Sequence, residues 1–239
     1  MAPGRARGLG RELAEDGAAC KALAVSLVRE HYGREVSKDE ADAVLVGVWA
    51  LRPLTTAALA DYHVVADFLL LLLFYGLLSA VAVRVLLRVQ PIAPGEYDGD
   101  SPVFTFWKLI TIVYRLGPGA LLPFTTVFTR PVVEALYGAR VGADVAIGGT
   151  IDDPYQVEIG PRAVIGHNVL VSGNLLYGGK LTCGKVIFGA GATIGVNSVV
   201  LPGSEIGENA VLMGGSYLMP GTKVPAGETW RGNPARKWM

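Results

Sequence analysis

The sequence predicts a mainly β protein, a parallel β-helix of hexapeptide repeats, with an N-terminal helical and membrane-associated region ahead of it. Three observations carry that prediction. From Phe188 to Trp230 a bulky apolar residue stands at every sixth position: Phe188, Ile194, Val200, Ile206, Leu212, Leu218, Val224 and Trp230. The same period runs earlier in another phase, through Val141, Ile147, Ile159, Ile165 and Val171, with Asp153 interrupting it. The run Phe68–Val83 carries no charge and is bounded by Asp67 and Arg84. A period of six fits neither an α-helix nor an ordinary strand, and it does fit short strands wound around a triangular prism.

Residues 1–60 read as a helical N-terminal region. Leu23, Val25, Leu27 and Val28 pair with Ala43, Val44, Leu45 and Val48 as two packed helices, and Ser37 with Glu40 forms a capping box for the second. Met1–Lys21 has basic residues but no apolar core, so no cleavable signal is expected. Cys20 and Cys183 lie far apart and are expected as free thiols.

Residues 61–90 are expected to form a transmembrane or membrane-associated helix. The uncharged run alone falls short of a ~30 Å hydrocarbon core, but Val64–Val89 spans it if Asp67 and Arg84 reach the interface. Arg84 and Arg88 follow the run and place the chain beyond them, including the β-helix, on the cytoplasmic side. Residues 91–137 read as a linker followed by aromatic interfacial helices. Lys108, Arg115 and Arg130 are spaced among Phe104, Phe106, Trp107, Tyr114, Phe124 and Phe128, and Pro118, Pro123 and Pro131 are expected to break the helix. These segments would also cover the open edge of the first coil.

The β-helix is expected over 138–239, with four to five coils. Position one of each hexad points inward. Position two is often glycine, as at Gly189, Gly195 and Gly207, which is expected to serve a corner of tight or left-handed backbone. Position five is small and inward: Ala192, Ser198, Ser204, Ala210, Ser216 and Thr222, until Glu228 marks the end of the prism. From Val171 to Phe188 is 17 residues, not a multiple of six, so the register is reset there. Ser172–Ile187 is expected to leave the prism as a loop and return, the place where binding chemistry tends to sit. The formal charge is zero, which argues against nucleic acid as a partner.

The repeats Ile159-Gly-Pro-Arg-Ala-Val, Ile165-Gly-His-Asn-Val-Leu, Ile194-Gly-Val-Asn-Ser-Val, Val200-Leu-Pro-Gly-Ser-Glu and Ile206-Gly-Glu-Asn-Ala-Val, with the closing Gly232-Asn-Pro-Ala-Arg, resemble those of the hexapeptide-repeat acyltransferases. Pro91–Gly149 looks like the membrane-linked branch of that family, as in the terminal domains of certain peptide synthetases. The resemblance implies a left-handed β-helix, a homotrimer, and an active site in the groove between neighbouring prisms. There acyl-CoA, acetyl-CoA first among them, or an acyl carrier arm donates to a hydroxyl or amine. It also implies a general-base histidine near the strand placed at Val171–Leu175, whereas this chain has Ser172-Gly173-Asn174 there.

The catalytic candidates are therefore His167, the one imidazole in the repeats, and Asn174, which could orient the acceptor or an oxyanion. Gly214, Gly215 and Ser216 are candidates for close approach of the pantetheine arm, and Arg231, Arg236 and Lys237 for the CoA phosphates. The expected function is acyl-CoA- or acyl-carrier-dependent O- or N-acyl transfer at the membrane, to a small-molecule sugar, lipid-linked or peptide acceptor, without a metal. A non-catalytic trimeric scaffold positioning membrane partners is the alternative. A carbonic-anhydrase-type site calls for three histidine ligands, and with His31 and His63 outside the repeats only His167 is available.

Overall fold

A computed structural model describes residues 62–238, so the helix pair and capping box expected in residues 1–60, and Cys20, lie outside the described residues. The chain divides into two compact units, Met1–Tyr75 and Gly76–Met239. The second unit contains all of the repeats.

The helix that runs into this unit, α1 (His63–Val89), buries Gly76, Ser79, Ala80 and Val83, a stripe at three- and four-residue spacing. Glycine is required at 76 because a Cβ there would meet Leu121 Cγ at 2.4 Å. The Tyr137 hydroxyl lies 2.6 Å from Ser79 Oγ and 2.9 Å from the Gly76 carbonyl. Arg84 donates to the carbonyls of Leu136 at 2.8 Å and Ala135 at 2.5 Å. By length and composition α1 is long and apolar enough to cross a membrane.

α2 (Pro102–Leu121) starts at Ser101, whose Oγ accepts from the Phe104 N–H at 3.1 Å. Pro118 does not break this helix: it lies inside the last turn, at the cost of one intrahelical bond. Pro123 sits in the 3-10 turn Leu122–Phe124, and Pro131 begins α3 (Arg130–Leu136), where its missing N–H costs nothing. The expected linker also contains a strand, β1 (Gly95–Asp98).

The repeats form a parallel three-sided solenoid. One face is β2 (Arg140–Val141), β5 (Val157–Ile159), β10 (Val186–Phe188), β13 (Glu205–Ile206) and β16 (Lys223–Val224). The second is β3 (Ala146–Ile147), β6 (Val164–Ile165), β11 (Thr193–Ile194), β14 (Val211–Leu212) and β17 (Thr229–Gly232). The third is β4 (Thr150–Asp152), β7 (Leu170–Ser172), β12 (Val199–Val200) and β15 (Tyr217–Leu218). Strands pair in register one coil apart, as in Ile159 with Phe188 and Phe188 with Ile206. Position one fills the core in both phases, and position five is buried at Ala192, Ser198, Ser204, Ala210 and Ser216. Around Glu228 the prism ends as expected: β18 (Ala235–Lys237) turns back antiparallel on β17, and Glu228 binds Lys237 at 2.6 Å and the Trp230 indole at 2.9 Å.

Three expectations need correcting. Left-handed backbone falls at position four, not two: Gly191, Asn197, Gly203, Asn209 and Gly215 have positive φ. Position two needs glycine because coils touch there. A Cβ on Gly195 would lie 2.3 Å from the Gly214 nitrogen.

Second, Ser172–Ile187 is not a loop. β8 (Asn174–Tyr177) and β9 (Lys180–Cys183) form a hairpin that pairs with β1 into a three-stranded antiparallel sheet. It adds 17 − 6 = 11 residues between Val171 and Phe188.

Third, Asp153 does not occupy an inward hexad position. Ile151 pairs with Val171 and points inward instead. The preceding corner is shortened by two residues at Gly148–Gly149, where a Cβ on Gly149 would meet the Val169 carbonyl at 2.4 Å. The next corner is lengthened and carries Asp153, at φ 56°, before the 3-10 turn Pro154–Gln156.

Candidate functional site

The structure distributes the candidate residues over two corners of the solenoid. His167 occupies position three at the corner between β6 and β7, and its counterparts in the next coils are Val196 and Gly214. Backbone bonds fix this column: Asn197 N–H donates to the His167 carbonyl at 3.1 Å, and Gly215 N–H to the Val196 carbonyl at 2.8 Å. At ~4.8 Å per coil, His167 and Gly214 stand roughly 10 Å apart. Trp230 pairs with Leu212, so Arg231 and Gly232 continue the same edge one coil further. Five of the predicted residues, His167, Gly214, Gly215, Ser216 and Arg231, thus fall along one edge.

Along that edge the side chains thin out. Gly215 has φ +69°, which favours glycine, but Gly214 has ordinary φ and a Cβ there would sit 3.2 Å from the Val196 carbonyl. Coil stacking constrains glycine less at 214 than at position two. Ser216 is turned inward: it is buried, and its Oγ accepts from the Gly232 N–H at 3.3 Å. Its side chain therefore joins coils, and only its backbone belongs to the edge. The Arg231 guanidinium lies 4.4 Å over the Trp238 ring, and Arg236 pairs with Arg231 across the β17–β18 hairpin. Lys237 already has a carboxylate partner in Glu228, whose own carboxyl its hydrogen bond holds below the ordinary range. His167 is exposed, and its side chain has no hydrogen-bond partner among the described residues.

Asn174 is not on this edge. It opens the hairpin at the other end of β7, at the corner that Asp153 enlarges. Asn174 Nδ2 donates to Asp153 Oδ2, and Trp107 Nε1 of α2 donates to the same oxygen at 3.3 Å. Asn174 is itself set by Ser172, whose Oγ donates to the Asn174 carbonyl at 2.7 Å. Asp153 is 2% exposed, and burial pushes its carboxyl above the usual range against the opposing influence of Asn174, Trp107 and Tyr155.

The surrounding network is also buried. The Tyr114 hydroxyl donates to the Ile151 carbonyl at 2.6 Å and lies 3.5 Å from Glu134 Oε2. Burial raises Glu134 to about 7, despite Arg130 at 3.5 Å. A cavity of about 90 Å³ opens beside Asp153, lined by Trp107, Thr111, Tyr114, Arg115, Asp152 and Asn174. Arg115 pairs with Asp152 at 3.4 Å. Sequence reasoning gave Asp153 no role. The signal was present as the one charged residue interrupting the apolar period.

No protein-family model matches the chain. A putative acetyltransferase, YvoF of Bacillus subtilis, is 32% identical over 83 residues, 35% of this chain and 47% of that protein. A 2,3,4,5-tetrahydropyridine-2,6-dicarboxylate N-succinyltransferase of Polynucleobacter asymbioticus is 39% identical over 119 residues, 48% of this chain and 42% of that protein. The repeat region is similar to hexapeptide-repeat acyltransferases. The chain is also 29% identical over 129 residues to a mitochondrial gamma carbonic anhydrase 2 of Arabidopsis thaliana, 46% of each chain. The chain spans about half the length of these relatives. No group of three or more His, Cys, Asp or Glu placed to hold a metal occurs among the described residues of the solenoid.

Proposed function

We propose that the protein is an acyl-CoA-dependent acyltransferase working at a membrane, with the His167–Arg231 edge as its donor site. The observation that carries this reading is the side-chain-poor strip of that edge. Gly214 is a glycine that coil stacking constrains less than those at position two, followed by Gly215 and Gly232, with the Arg231 and Arg236 guanidinium groups at one end. Such a strip suits a pantetheine arm against backbone, with phosphates at the arginines and the thioester toward His167. The likeness to acetyl- and succinyltransferases supports the same reaction class.

The two candidate corners lie at opposite ends of the β4–β7–β12–β15 face. One chain does not bring them together. A left-handed homotrimer with its sites between neighbours would give one chain's Asn174 corner the next chain's donor edge as its counterpart. The membrane reading is supported by α1, whose 27 residues reach ~40 Å at about 1.5 Å each. It is supported too by the exposed apolar residues Val81 and Val85 of α1, Ile112 of α2, and Phe128 and Val132 near α3. On this reading the solenoid faces the cytoplasm, and the acceptor is reached at the membrane surface, as in the membrane-linked branch.

A second reading, a non-catalytic trimeric scaffold, is favoured by the unoriented His167 imidazole. The test is release of free CoA from acetyl-CoA by membranes carrying the chain. Release that falls at least tenfold in Arg231→Ala supports the enzyme. Equal release with and without the chain contradicts it and leaves the scaffold.

A further inference from the structure

Asp153 is a buried carboxylate with no cation beside it among the described residues. Its described neighbours, the Asn174 amide, the Trp107 indole and the Tyr155 hydroxyl, are neutral, and the arginine in the same cavity wall, Arg115, is paired with Asp152. Enclosing an unpaired carboxylate is costly, yet the fold departs from its own period to place this one. The β4 register is shifted, Gly148–Gly149 tightens one corner, and Asp153 takes left-handed backbone. Gly173 keeps the hairpin close, since a Cβ there would meet Gln156 Cβ at 2.7 Å and Asp153 Cβ at 3.3 Å.

The adjoining cavity of about 90 Å³ has room for an aminomethyl or aminoethyl end. Thr111 Oγ1, in its wall, is buried without a hydrogen-bond partner. An ammonium group supplies the missing positive charge to Asp153 and a donor to Thr111 together, which a hydroxyl group does not.

Resting on the acyl-transfer reading above, we propose that this cavity takes the terminal primary amine of the acyl acceptor, that Asp153 receives its proton, and that Asn174 and Trp107 hold the carboxylate in place. The ammonium passes one proton to an Asp153 oxygen, and the lone pair thus freed forms the bond to the thioester carbonyl carbon. The C–S bond breaks with its electron pair on sulfur. The second nitrogen proton goes to that thiolate, the third stays on the amide, and Asp153 returns its proton to solvent. The desolvated surroundings that raise the Asp153 carboxyl make it a stronger base for this step.

The experiment uses the full chain in detergent with acetyl-CoA and two probes of equal length, n-butylamine and n-butanol, following thiol release. Butylamine is expected to be acetylated and butanol not. Asp153→Asn is expected to lower kcat with butylamine by about 10²–10⁴-fold, with KM for acetyl-CoA within twofold. Asp153→Glu is expected to recover part of the rate and displace the acid limb of the pH profile. Trp107→Phe removes the indole N–H bond while keeping an aromatic ring in the cavity wall, and is expected to move that limb as well, which keeps the test open if Asp153→Asn does not fold. Equal use of butanol, or an Asp153→Asn enzyme with unchanged kcat, overturns the amine site and leaves acyl transfer standing. No thiol release from the wild-type chain with either probe overturns both.

Discussion

Gly195 and Gly214 are both corner glycines, and the structure gives them different work. An added methyl carbon at 195 would press on the Gly214 nitrogen at 2.3 Å, whereas at 214 the nearest atom is 3.2 Å away. Gly195→Ala is therefore expected to destabilise the fold by about 1–3 kcal/mol, and Gly214→Ala by less than about 1 kcal/mol, in denaturant unfolding. Gly214→Ala should instead weaken acyl-CoA binding. Glu134 supplies a pH prediction. Its carboxyl is raised from 4.5 to about 7 in the folded chain, so the native state binds more protons than the unfolded state between those values. Stability conferred by the neutral form is complete below about 4.5 and is lost as pH rises through about 7. Glu134→Gln is expected to flatten that fall, read from denaturant midpoints across the same range. An unchanged slope would show that Glu134 does not carry it.

Elements differ in how far the sequence exposes them. The solenoid was legible because each position-one side chain faces the same core, so one rule repeats from Val141 to Trp230. Its interruptions were visible as breaks in phase, but their structures were not. The hairpin β8–β9 is held by pairing with β1, more than 75 residues earlier in the chain, and no local pattern announces that partner. The β4 shift depends on a close contact between Gly149 and the next coil, again invisible to periodicity. Pro118 misled for a related reason: tertiary packing of Tyr114, Gly117 and Leu121 carries α2 through a residue that propensity alone would treat as a stop. At the start of α2 local chemistry does decide, and Ser101→Ala is expected to cost about 1 kcal/mol through loss of the cap, measured as a lower unfolding midpoint.

For the whole molecule, the shared edge of His167, Gly214, Gly215 and Arg231, the proposed donor site, follows from their hexad positions. What the sequence did not show is that Asn174 belongs to another corner, bound to Asp153 beneath α2. The proposed site is thereby split between two edges, which a three-fold assembly would rejoin. The central claim is that the edge ending at Arg231 receives an acyl-CoA. Calorimetric titration of acetyl-CoA into the full chain in detergent tests it most directly. Saturable binding is predicted, one site per chain, weakened at least tenfold by Gly214→Val, which fills the strip, and by Arg231→Ala. No heat of binding to the wild-type chain, or binding that Gly214→Val leaves unchanged, would contradict it.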